Sequence, residues 1–150
     1  MGHDLAVIDT APRGRTYEDR PSAIARIRHR LRLPADETDA NRALVAAATG
    51  AELIWIENAS MIRPGTLRTI RSMAIPPRIV WYSEDDMMRP RNGSFWLDRS
   101  WALFDLCVTT KSFNAAHAEL PARGAQRVLF VNNSFDPDIH RKVFPDPGTL

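Results

Sequence analysis

The stretch that decides the fold runs from Arg78 to His140, RIVWYSEDDMMRPRNGSFWLDRSWALFDLCVTTKSFNAAHAELPARGAQRVLFVNNSFDPDIH. Three short apolar runs punctuate it: Ile79–Tyr82, Leu106–Thr109 and Val128–Val131. Each gives way at once to polar residues: Ser83-Glu84-Asp85-Asp86, Thr110-Lys111-Ser112 with Asn114, and Asn132-Asn133-Ser134 with Asp136. Apolar runs of this length, rich in β-branched and aromatic residues and separated by helix-length segments, predict buried parallel strands in βαβ units. Sheets of this kind bind ligands beyond the carboxyl ends of their strands. All three polar clusters fall there.

Upstream, Leu5–Ile8 predicts a strand that ends at Asp9-Thr10. No glycine-containing loop and helix precede it, so the N-terminus reads as lacking the first βα unit of a doubly wound domain. A helix is expected from Ser22 to about Leu31, with Ile24, Ile27 and Leu31 at helical spacing and Arg26, Arg28, Arg30 and Arg32 between them. These arginines suit a phosphate or nucleic-acid patch. The lack of aromatic residues and the acidic run Asp36–Asp39 favour the simpler reading, a solvated helix face. Thr38 or Asp39 caps a second expected helix that ends at Gly50. Glu52–Glu57 predicts a buried strand, and Leu67–Met73 a helix with Leu67, Ile70 and Ala74 inward. Met87–Ser94 reads as a loop, Phe95–Phe104 as a helix, and Phe113–Leu120 as another helix capped by Ser112 and ended by Pro121. The tail Phe144–Leu150 resembles a cut inside a linker. The alternation predicts an α/β chain: one Rossmann-like three-layer domain over residues 1–150 with a mostly parallel sheet.

Composition sets outer limits. Hydrophobic residues make up 44% and charged residues 25% of the 150, enough for a real core. The net charge of +2 is too small to suggest a nucleic-acid partner. Lys111 and Lys142 are the only lysines among 20 basic residues, so the basic balance reflects arginine usage. Cys107, the single cysteine, lies within an apolar run and reads as a buried, inert thiol. No run approaches the ~18 apolar residues of a membrane span, and no signal-peptide pattern opens the chain. A cytoplasmic protein is expected.

Within the polar clusters, Asp85 and Asp86 are the candidates for catalysis. Neighbouring carboxylates raise one another's pKa, which suits a general base or an acceptor for sugar hydroxyls. The plainer alternative is a loop whose aspartates cap a turn or pair with Arg89 and Arg91. Lys111 and Asn114 stand where a strand gives way to a helix, a place suited to a phosphate or carboxylate. Asn133, Asp136 and His140 complete the rim. A metal site is not expected, because no third ligand has suitable spacing. The chain also has no G-x-G-x-x-G and no Walker pattern, so neither a nicotinamide nor an ATP site is expected, and no Ser-His-Asp order supports nucleophilic hydrolysis.

The succession LIWIE, RPGTL, WYSEDDM, FDLCVTTKSFN and GAQRVLFVNNSFDPDIH resembles the N-terminal half of the CgeB-type, spore-maturation-like glycosyltransferases. The likeness spans roughly residues 52–141, and more loosely 1–10. It implies a GT-B architecture in which two Rossmann-like domains face each other across a cleft, without a catalytic metal. This chain would be the acceptor-side domain, binding a sugar or glycan. The nucleotide-sugar donor, a co-substrate and not a resident cofactor, would sit mainly on a C-terminal domain beyond this sequence. A second reading is a non-catalytic Rossmann-like binding or interaction module, self-associating through an exposed sheet edge. A receiver-like domain fits less well, since its acidic pair would follow the first strand.

Overall fold

A computed structural model describes residues 2–11, 20 and 22–133. At its centre lie four strands, β1 (Leu53–Glu57), β2 (Arg78–Ser83), β3 (Leu106–Thr109) and β4 (Val128–Phe130). They are parallel and lie side by side in sequence order. Three helices accompany them: α1 (Ala23–Arg30), α2 (Ala40–Ala48) and α3 (Pro64–Arg71). The Rossmann-like α/β class expected from the sequence is present.

Each connection moves one strand further in the same direction. Right-handed crossovers then place the connecting segments on one side of the sheet. The pairings Ile54 with Ile79, Ile56 with Trp81, and Trp81 with Cys107 put these residues on that face. They join Leu44 and Ala48 of α2, Leu67 and Ile70 of α3, and Trp101, Phe104 and Leu120 in one buried cluster. Trp81 meets Trp101 edge-on at 4.9 Å between ring centroids, and each is 1% exposed. Cys107 lies under this layer, where burial pushes its thiol up to about 12. The opposite face carries Trp55, Val80, Tyr82 and Val108, with Trp55 stacked on Tyr82 at 5.4 Å. On β1, Leu53 and Trp55 stay 54% and 53% exposed, so this strand alternates instead of being buried throughout.

Polar side chains set the helix starts. Asp39 stands at the N-cap of α2 but its side chain does not cap. Asp36 does so instead, accepting from the N–H groups of Ala40 at 2.7 Å and Asn41 at 2.9 Å. Asn41 donates to Asp36 and to the Met61 carbonyl, and accepts from the Arg63 N–H and the Thr66 hydroxyl. One amide thereby ties the start of α2 to that of α3. Farther along, Asp105 accepts from the Ile79 N–H at 2.8 Å and pairs with Arg71 and Arg78, fixing the start of β3 beside β2.

Several expected elements differ. Leu5–Ile8 forms no strand: Leu5 and Val7 are 79% and 87% exposed, and no strand among the described residues offers the segment a ladder. Helix α3 starts earlier than expected, at Pro64, and Ala74 lies exposed beyond it. Phe95–Phe104 is not one helix but two 3₁₀ turns, Leu97–Arg99 and Trp101–Leu103. Ser94 accepts from the Leu97 N–H and Ser100 donates to the Trp96 carbonyl, satisfying the backbone locally while the aromatic rings turn inward. Phe113–Leu120 likewise reduces to a 3₁₀ turn over Ser112–Ala115, without a side-chain cap from Ser112. Pro121 opens a further turn there.

Because Trp101 fills the space above Trp81, Trp101→Ala should lower unfolding free energy by about 3–5 kcal/mol. Urea denaturation of the two proteins measures this, and a change below about 1 kcal/mol would mean that the tryptophan pair is not part of the core.

Candidate functional site

The polar clusters gather along the carboxyl edge of the sheet. After β2, the chain turns through Glu84, Asp85 and Asp86; after β3, through Thr110 to Asn114. The Thr110 N–H donates to the Ser83 carbonyl at 3.3 Å, and the Val131 N–H to the Thr109 carbonyl at 3.0 Å. These bonds hold the loops after β2, β3 and β4 next to one another. Buried hydroxyls shape the turns: Ser83 accepts from the Asp85 N–H and Thr109 from the Lys111 N–H.

Asn114 is the fixed point of this edge. It is 0% exposed. Its carbonyl oxygen accepts from the Met87 N–H at 3.0 Å, and its NH₂ donates to Asp86 Oδ1 at 3.3 Å. The loop after β3 is thereby clamped to the loop after β2. Expected from the sequence to line a ligand cleft, Asn114 is buried here with its side-chain amide bonded to the loop after β2.

The two aspartates differ in setting. Asp86 accepts from Asn114, from the Met88 N–H at 3.0 Å and from Arg89 Nε at 3.2 Å. Burial pushes its carboxyl up, but the Asn114 amide, the Met88 N–H and the Arg89 guanidinium outweigh that and hold it below the ordinary carboxylate value. The raised pKa expected from adjacent carboxylates is absent at Asp86, because its oxygens face donors. A carboxylate held down in this way is a weak base and a firm structural acceptor. Asp85 lies exposed at the turn. Nearby, the Tyr82 hydroxyl donates to Glu84 at 2.9 Å, a bond that raises the phenol's pKa, with burial adding to it.

Lys111 is half-buried at the loop after β3, and its ammonium pairs with no carboxylate among the described residues. Asn133 is exposed just after β4. Asp136 and His140 lie outside the described residues. The structure therefore joins Asp86 to Asn114 directly and sets Asp85, Lys111 and Asn133 on adjoining loops. No group of three or more His, Cys, Asp or Glu side chains able to hold a metal occurs among the described residues. No helix among them is long and apolar enough to cross a membrane.

A cleft lies beside this edge that was not apparent as a site in the sequence. About 590 Å³ in volume, it opens between α1, Ser60 in the loop after β1, and the turn at residues 91–93. The Asn92 side chain donates to the Asp86 carbonyl at 2.8 Å, so one loop forms both the acidic rim and a wall of the cleft. The alternating arginines of α1 were the available signal. Their partner wall lies some sixty residues away in the chain.

No protein family, curated protein or solved structure matches this chain in comparison.

Asn114→Ala should cost about 1–3 kcal/mol, since the Met87 N–H loses its acceptor in a buried place. The Asp86 carboxyl should also titrate at a higher pH once its amide donor is gone. Denaturation together with carboxyl-carbon NMR titration reads both effects; an unmoved Asp86 titration would contradict the clamp.

Proposed function

We propose that this chain is the acceptor-side domain of a glycosyltransferase of the CgeB type, binding a sugar or glycan along the carboxyl edge of its sheet. The polar rim on the loops after β2, β3 and β4 supports this reading, together with the order of motifs from LIWIE to FVNN. Sugar hydroxyls need acceptors and donors set at short intervals. Asp85 supplies exposed acceptors, Lys111 a donor without a carboxylate partner among the described residues, and Asn133 both kinds. Asp85 is the better choice for accepting or abstracting a hydroxyl proton, because the Asp86 carboxylate is occupied by its clamp. Asp86 and Asn114 act as positioning residues. Asp136 and His140 would extend the rim, and a nucleotide-sugar donor would be held across the cleft by a second domain.

A second reading rests on β1. Among the described residues this strand pairs only with β2, and it presents Leu53 and Trp55 more than half exposed. An apolar edge of this kind favours pairing with a second copy of the chain, as an interaction module would.

For the first reading, Asp85→Asn should weaken binding of neutral oligosaccharides about tenfold, a loss of roughly 1.4 kcal/mol, with unchanged stability. Calorimetry across a glycan panel makes the comparison, and equal affinity of the two proteins would remove Asp85 from the site. For the second, sedimentation should show dimers that Trp55→Ser converts to monomers; a monomeric parent chain at high concentration would dismiss it.

A further inference from the structure

The cleft beside α1 has a charge pattern that the glycan-binding reading leaves unused. Arg26, Arg28 and Arg32 line one side, Arg91 lines the other, and His29 joins them. Glu37 is the single acidic residue in the lining. Among the described residues, Arg26, Arg28 and Arg91 pair with no carboxylate. Four arginines against one glutamate leave the lining with a positive excess, which an anion would offset.

The walls are built, not accidental. Arg32 stands just past α1 with φ 58°, in the left-handed region, and its carbonyl accepts from the Phe95 N–H at 2.8 Å. Its guanidinium pairs with Asp98 at 2.9 Å, and Asp98 also meets Arg123 at 3.2 Å. Gly93 lets the opposite wall approach, since a Cβ there would stand 2.9 Å from Arg32 Nη2. The Ser94 hydroxyl donates to the Ser60 carbonyl at 2.6 Å, which ties the turn at residues 91–93 to the loop after β1. The cleft thus opens at the carboxyl ends of β1 and β2, the side on which parallel sheets take ligands.

We propose that this cleft binds a small phosphorylated molecule, a phosphate monoester or a diphosphate, through the guanidinium groups of Arg28 and Arg91, with Arg32 fixing the wall between them. Guanidinium forks match phosphate oxygens in pairs, and several forks match a doubly charged group better than a single carboxylate. A volume of about 590 Å³ suits a small ligand. No Phe, Tyr or Trp among the described residues lines the cleft, which favours a small ligand over a single-stranded nucleic acid. The proposal is independent of glycosyl transfer, since it concerns a different lining and a charged ligand.

The test is calorimetric titration of the full chain at low ionic strength with inorganic phosphate, pyrophosphate, a hexose phosphate and a nucleoside diphosphate. Sulfate and a short single-stranded oligonucleotide serve as controls. At least one phosphorylated compound should bind more tightly than sulfate, and the ranking identifies the source of the phosphate. Arg28→Ala and Arg91→Ala should each weaken it about tenfold, the loss of one charge-assisted contact. Arg68→Ala, an exposed arginine on α3 outside the cleft, should leave it unchanged, and thermal unfolding confirms that all variants fold. Phosphates binding no better than sulfate, equal losses from Arg68→Ala, or tighter binding of the oligonucleotide through the same arginines would each overturn the proposal.

Discussion

One buried amide ties the loop after β2 to the loop after β3 at the carboxyl edge of this sheet. Asn114 has no exposure to solvent, and its two polar atoms reach across from the loop after β3 to the Met87 N–H and the Asp86 carboxylate after β2. Inside the protein such bonds are strong and their loss is costly, because no water replaces the missing partner. The clamp also consumes Asp86. Its oxygens are bonded within the loop, whereas the Asp85 carboxylate stays exposed. Two adjacent acids that look equivalent in the sequence thus differ in the fold.

The sheet supplies the platform for these loops. Its strands run in sequence order, so every connection packs on the same face, around Trp81 and Trp101. Asp105 and Asn41 fasten the connections with several hydrogen bonds each. The loops between strands are therefore anchored at their bases while their tips stay polar. The turn through Asn92 and Gly93 belongs to two places at once, touching Asp86 on one side and the arginine-lined cleft on the other.

Much of the sheet was legible in the sequence. Ile79–Tyr82, Leu106–Thr109 and Val128–Val131 announce strands because β-branched and aromatic residues fill short runs that stop at polar clusters. The connections were less legible. Phe95–Phe104 has helical spacing, but the Ser94 and Ser100 hydroxyls capture backbone groups and break it into turns. Asn114 sits in a stretch that reads as helix, yet its side chain serves the neighbouring loop and not a helix surface. Leu5–Ile8 shows the opposite error: an apolar run makes a strand only where a neighbour offers a ladder. The cleft escaped notice because its walls, Arg26 to Arg32 and Arg91 to Gly93, are brought together only by the fold.

The most direct measurement is an amide NMR map of the folded chain titrated with neutral oligosaccharides. Shifts concentrated at residues 84–86, 110–114 and 132–133 are the predicted result, since those loops form the proposed rim. Shifts confined to the exposed face around Leu53 and Trp55, or none with any glycan, would contradict the placement of a sugar site on the carboxyl edge.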